Sequence, residues 1–151
     1  MELPPVTDLL PHRGRWLLVG SLLRVDLDAP SIEARGHFDP AYAEGHFPEK
    51  LVVPGVALLE GLAQTMACLG ALLARAQPDA APEGIPFLAA FDRVRFRAPV
   101  FPPADVDFRV TVQEHRLGLL MASGEARCGG KRVLTARLTG GTAPADAVEL
   151  G

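Results

Sequence analysis

Cysteine, long charge-free apolar runs and an excess of positive charge are all scarce in this chain, and each scarcity removes a class of protein. The two cysteines, Cys68 and Cys128, lie in apolar or β-like contexts at no metal-ligand spacing. They read as small buried hydrophobes of a reducing compartment, not as a disulfide or zinc framework. The formal net charge is −3. Binding nucleic acid needs a basic surface to neutralise phosphate, so none is expected as a partner. The longest charge-free apolar run, Gly61 to Ala74, has 14 residues, fewer than the ~20 that cross a bilayer. The start, MELPPVTDLL, opens with an acid and two prolines. That pattern is not a secretory signal, and a cytoplasmic location is expected. No motif for a metal or a nicotinamide is present, so no cofactor is expected, and the chain shows no internal repeat.

What is there suits one domain. At 151 residues and 48% hydrophobic, the chain is long enough to bury a core without staples. "VTDLLP" fits a single helical turn with Thr7 or Asp8 as cap, ended by Pro11. "WLLVGSLLRVD" (16–26) is strand-like, and Asp28-Ala29-Pro30 makes a turn. In "SIEARGHF" (31–38) Ile32, Ala34, Gly36 and Phe38 alternate with Glu33, Arg35 and His37, which is the period of a half-buried strand. Further strand patterns cover 87–96, 106–113, 119–128 and 131–139, the last two flanking a Gly129-Gly130 hairpin turn. The loop 77–84 and the tail 141–151 are small and polar, which leaves a single domain over 1–140. Strands segregated from one helix predict an α+β fold with an antiparallel sheet.

That helix is predicted at 55–76, after Pro54, and at 1.5 Å per residue it is roughly 33 Å long. It is apolar nearly all round, which predicts burial on every side. A six-stranded sheet curled around it cannot cover every side alone, so a second subunit is expected. Glu60 is its anomaly, the one acid between Gly55 and Ala74, with Gln64 one turn later on the same face. A carboxylate buried in an apolar helix is costly unless paired or protonated, and the protonated form is what a general acid needs. The spacing equally allows a Glu60 that reaches solvent near the helix start or pairs with an arginine. Helical side chains lean toward the N-terminus, and Glu60 lies about 8 Å along the axis. Its carboxyl therefore approaches the free N–H groups at Gly55 and Val56, donors that suit an oxyanion. Gly55 brings no side chain to hold a substrate carbonyl away.

Gly-His-Phe occurs twice, at 36–38 and 45–47. His37 falls on the polar face of a strand. His46 falls in an irregular loop, bounded by Gly45 and Pro48, that runs straight into the helix bearing Glu60. A loop histidine on a rigid scaffold can act as a base near neutral pH, although a lone one is more often an ordinary loop residue. His12 and His115 read most simply as a turn residue and a strand-end residue. Arg93, Arg95 and Arg97 alternate with Val94 and Phe96. They form a positive stripe that is either a solvated strand face or a docking surface for an acidic partner.

The run "GHFPEKLVVPGVALLEGLAQ" (45–64) resembles the signature of the 3-hydroxyacyl-(acyl carrier protein) dehydratases of FabZ type. Gly45-His46-Phe47-Pro48 matches the family's loop, Pro54-Gly55-Val56 its helix entry, and Glu60-Gly61-Leu62-Ala63-Gln64 its Glu-Ala-x-Ala-Gln. "LLPHRGRWLLV" (9–19) is similar to the family's Leu-Pro-His-Arg opening, and "FDRVRFRAPVFPPAD" (91–105) to its Asp-x-x-Arg-Phe-Arg-x-Pro-Val segment. The resemblance implies a hot-dog fold, a curled six-stranded antiparallel sheet around one long central helix. It implies dehydration of a 3-hydroxyacyl thioester on an acyl carrier protein, with His46 and Glu60 as the catalytic pair. Gly55 and Val56 would then stabilise the oxyanion, and Gln64 would orient Glu60. It further implies a homodimer whose pair is shared between subunits, such dimers often forming trimers, and an acidic carrier that the three arginines would meet. Glu49, Lys50 and Leu51 stand where the family usually has glycine and a proline, and Gly20-Ser21 replaces an aspartate-containing pair. The alternatives are a hot-dog thioesterase, in which Glu60 would activate water, and a non-catalytic acyl-binding subunit.

Overall fold

Alternation of apolar and polar residues becomes sheet along most of its length. The strands are β1 (Ser21–Asp26), β2 (Ser31–Phe38), β3 (Ile85–Phe96), β4 (Ala104–Arg116), β5 (Leu119–Cys128) and β6 (Lys131–Ala143), with one α-helix, α1 (Gly55–Ala76), among the described residues. The computed structural model describes residues 2–77, 79 and 85–143. Its strands form one six-stranded sheet in the order β1-β2-β4-β5-β6-β3, antiparallel throughout. In β2, Ile32, Ala34, Gly36 and Phe38 are buried while Arg35 and His37 face solvent, as period two requires. The β5–β6 hairpin turns on Gly129 and Gly130, whose φ angles of 59° and 78° are open to glycine at no steric cost. Between β1 and β2, the Asp26 carboxylate accepts the N–H groups of Asp28 and Ala29, both at 3.0 Å, and so closes the turn.

α1 lies against β2, β3, β4, β5 and β6. Leu62, Leu69, Phe108, Val110, Leu134 and Leu138 are among the fully buried side chains between helix and sheet. The approach is closest at Gly61, where a Cβ would fall 2.3 Å from the Phe108 ring. Only glycine admits that aromatic. By length and mean hydropathy, 1.7 over its best window, α1 would also cross a bilayer. The 14-residue charge-free run is shorter than the helix because Glu60 and Arg75 bound it, and length and composition alone do not make a span. Its packing on five strands makes it a core helix.

Several expectations are corrected. α1 is not covered on every side within one chain. Leu58, Leu62, Thr65, Met66 and Leu69 are buried, whereas Leu59, Ala63, Ala67 and Leu73 are half-buried and Val56 is 72% exposed. One sheet covers one side. β1 begins at Ser21 and not at Trp16, since Gly14–Trp16 is a 3-10 turn and the Leu18 N–H is spent on the Gln64 side chain, not on a neighbouring strand. Thr7 and Asp8 lie inside a 3-10 turn, Val6–Asp8, whose cap position is Pro5. β6 runs to Ala143, pairing with Ile85, four residues past the strand end expected at 139 and into the tail expected from 141. The remainder of the tail and most of the loop 77–84 lie outside the described residues. Both cysteines are free, Cys68 buried and Cys128 half-buried, and burial pushes the Cys68 thiol up to about 12.

Candidate active site

The segment between β2 and α1 is irregular yet tightly pinned. Gly45 has φ 82°, a conformation that glycine adopts without strain. The His46 N–H bonds Ala43 O at 2.8 Å, the Val52 N–H bonds His46 O at 2.7 Å, and the Val53 N–H bonds Val100 O at 2.8 Å. His46 is thereby fixed at both backbone groups. Its side chain is half-buried, with Nδ1 at 2.9 Å from the Val52 carbonyl oxygen. A carbonyl only accepts, so Nδ1 carries the proton and Nε2 is left with a lone pair. The ring stacks on Phe47, centroids 4.5 Å apart.

On α1, Gln64 is buried and satisfied in every direction. Its Oε1 accepts from Leu18 N–H at 2.9 Å, while its Nε2 donates to Trp16 O at 2.6 Å and to Glu60 Oε1 at 3.0 Å. These partners fix which end is oxygen and which nitrogen. Glu60 is thus held from one turn away, as the spacing predicts. Its side chain is 38% exposed, so within one chain the carboxyl reaches toward solvent. It pairs not with an arginine but with His12, whose Nε2 is 3.6 Å from Glu60 Oε1. Sequence reasoning had reduced His12 to a turn residue. The Leu-Pro-His-Arg run was the signal that singled it out.

At the helix mouth, the Ala57 and Leu58 N–H groups turn onto Pro54 O at 2.9 and 3.4 Å. Those of Gly55 and Val56 have no backbone partner among the described residues, leaving two donors at the positive end of the helix. Gly55 has a second reason to be glycine. A Cβ there would fall 2.5 Å from Phe96, so the missing side chain makes room for an aromatic of β3. Among the described residues no hydrogen bond or ion pair joins His46 to Glu60 in the same chain. His37, by contrast, stands on the solvent face of β2 against Asp105, Nδ1 to Oδ1 2.8 Å.

The strand that carries the three arginines is irregular beside them. Asp92 pairs with Arg137 and Arg95 with Thr135, so β3 carries one extra residue, and Arg93 has φ 51°. This bulge resets the alternation. Arg93, Arg95 and Arg97 then line an open depression of about 690 Å³ together with Arg109 and Arg137, two arginines that the sequence did not bring to notice. Of these, Arg109 meets Glu33 at 3.5 Å. Among the described residues the other four have no carboxylate within 4.0 Å. No group of three or more potential metal ligands occurs among the described residues.

A long helix against a curled antiparallel sheet, with its polar groups gathered at the helix mouth, defines a hot-dog domain. Solved structures agree. The dehydratase heterocomplex ApeI:P from Xenorhabdus doucetiae superposes with a TM-score of 0.75 at 18% identity, over 94% of this chain and 93% of that one. A hypothetical thioesterase with coenzyme A from Streptococcus pneumoniae gives 0.64 at 6% identity, over 83% and 86%. Such distances establish the fold and leave the reaction open. The sequence narrows it. Residues 10–137 match the FabA-like domain model, and the chain belongs to that family. It is 32% identical to the 3-hydroxyacyl-[acyl-carrier-protein] dehydratase FabZ of Desulfotalea psychrophila, over 91% of each chain. It is 35% identical to the FabZ of Sinorhizobium fredii, over 89% of this chain and 85% of that one.

Proposed function

We propose that the protein is a hydro-lyase that converts a 3-hydroxyacyl thioester on an acyl carrier protein to the trans-2-enoyl thioester, in fatty-acid or a related lipid or polyketide synthesis. His46 Nε2 takes the C2 proton. The N–H groups of Gly55 and Val56 hold the charge that develops on the thioester oxygen. Glu60 then protonates the departing C3 hydroxyl, so that water leaves as the double bond forms, while Gln64 orients Glu60. The observation that carries this reading is the His46 tautomer, because Val52 O leaves Nε2 as a free base on the loop entering α1. The test is incubation with a crotonyl thioester. Hydration across the double bond is expected, and free acid with thiol as the main product would replace dehydratase with thioesterase.

The working unit in this reading is a homodimer, which can assemble further as a trimer of dimers, with His46 of one subunit facing Glu60 of the other. Three features support it: the pair is unjoined within one chain, one side of α1 is half-covered, and β3 is a sheet edge. Phe96 on that edge, Val56 in the first turn of α1, and Trp16 and Phe47 are exposed. Mixing His46→Ala with Glu60→Gln under exchange conditions should restore part of the activity, since some mixed dimers regain one intact site. No rescue despite measured exchange would place each site within one chain. The carrier is acidic in this reading, and the depression around Arg93, Arg95 and Arg97, widened by Arg109 and Arg137, is the surface that complements it. The free thiols of Cys68 and Cys128 fit a cytoplasmic enzyme.

A further inference from the structure

The segment that carries His12 is built rigidly. Leu10 is buried in the core. The Arg13 guanidinium donates to the carbonyls of Leu10 and His12, both at 2.7 Å, and of Thr7 at 3.0 Å, clamping the backbone on both sides of Pro11. The imidazole is held with Nε2 toward Glu60 Oε1 at 3.6 Å. Its Nδ1 is buried and has no hydrogen-bond partner among the described residues. A buried N–H without an acceptor is among the rarest arrangements in proteins, whereas an unused lone pair is tolerated better. The proton of the neutral ring therefore sits on Nε2, the nitrogen that faces a carboxylate.

Two donors now converge on one oxygen. Gln64 Nε2 donates to Glu60 Oε1 at 3.0 Å, and His12 Nε2 approaches the same atom. Oε2 accepts nothing among the described residues. We propose that His12 is a positioning residue for the Glu60 carboxyl, which with Gln64 holds Oε1 and so turns Oε2, the oxygen that carries the transferable proton, toward the substrate. The proposal rests on the dehydratase reading above for its kinetic consequence, but not for the pairing itself. At 3.6 Å the two atoms lie a few tenths of an ångström beyond hydrogen-bond distance, a gap that a small side-chain adjustment closes.

The variants separate position from mere packing. His12→Ala should lower kcat for a 3-hydroxyacyl thioester on the order of ten- to a hundredfold, the worth of one hydrogen bond to a charged group. KM should stay within about twofold, since the acyl chain is bound elsewhere. Gln reaches out to an Nε2 donor and Asn stops short, so His12→Gln should recover most of the loss and His12→Asn little of it. A readout independent of turnover is the nitrogen-15 spectrum of the His12 ring. It should show the Nε2–H tautomer in the parent and in Glu60→Ala alike, with the Nε2–H signal shifted in Glu60→Ala because its acceptor is gone. A folded His12→Ala protein with parent-like kcat, rescue by Asn in preference to Gln, or a His12 Nε2–H signal indifferent to Glu60 would each overturn the proposal. If the chain hydrolyses thioesters instead, the dehydratase reading falls, and the ring spectrum still decides whether His12 holds Glu60.

Discussion

Gly36-His37-Phe38 and Gly45-His46-Phe47 are the same tripeptide in two physical settings, and they share almost nothing but spelling. In β2 the glycine is required by crowding, since a Cβ at Gly36 would fall 2.3 Å from Leu18 O. In the loop the space around Gly45 is open and the glycine is required by its φ of 82°. His37 lies on the solvent face, paired to a carboxylate, while His46 is half-buried and bonded to a backbone carbonyl. The phenylalanines are opposites. Phe38 is 0% exposed, edge-on to Tyr42 and Phe108, and Phe47 is 58% exposed. What separates the copies is the backbone that presents them. A strand sends alternate residues to opposite faces, whereas a pinned loop presents a side chain wherever its carbonyl partners fix it.

The sharpest way to break the comparison is to remove each histidine. His46→Ala should abolish dehydration, a loss on the order of 10²–10⁴ for a general base, with the thermal unfolding midpoint little changed. His37→Ala should keep turnover within a few-fold of the parent. Glu60→Gln should match the His46 defect, and the double variant should be barely worse than either single one, because both proton transfers serve one elimination. Steady-state kinetics on the four proteins decides it. A dead His37→Ala beside an active His46→Ala would reverse the assignment.

The phenylalanines invert the ranking in stability. Phe38→Ala empties a fully enclosed site against Phe108 and should cost ~3–5 kcal/mol in denaturant unfolding. Phe47→Ala removes a side chain that the single chain leaves mostly in water, and the stability of the isolated chain should change by about 0.5 kcal/mol or less. If the proposed dimer dissociates more easily in Phe47→Ala, the exposed ring belongs to its contact, and the two effects separate by protein concentration.

Much of this contrast was legible beforehand. Period two fixed β2 residue by residue, the run without proline after Pro54 fixed α1, and the spacing of four placed Gln64 on Glu60. These are local signals. What escaped was long-range. The Gln64 side chain takes the Leu18 N–H, which shortens β1 at its start and is invisible in the segment 16–26 itself. His12 joins Glu60 only because the segment before β1 folds across the helix. Arg109 and Arg137 join the three arginines of β3 because β6 lies between β3 and β5, a strand order that alternation does not encode. The bulge at Arg93 escaped as well, since nothing but the register on β6 reveals the extra residue.

The smallest expected effect concerns what His37 does instead of chemistry. Its ring and the Asp105 carboxylate are 60% and 59% exposed, a setting in which an ion pair contributes at most ~1 kcal/mol and is screened by salt. Asp105→Asn should therefore lower stability only slightly at low ionic strength and not at all near 1 M salt, with turnover unaffected. One secondary consequence is specific to the place. The Cys128 thiol is held above its ordinary range by burial first, then by the charges of Asp105 and Asp107. Removing one of those charges should shift the alkaline onset of Cys128 alkylation to slightly lower pH, by less than burial contributes. The same measurement on Asp107→Asn serves as a partner control, since that carboxylate is also engaged by Arg35 at 2.6 and 3.0 Å. If Asp105→Asn cost turnover on the scale of His46→Ala, the first tripeptide would belong to the active site after all, and the separation of the two copies by backbone setting would fail.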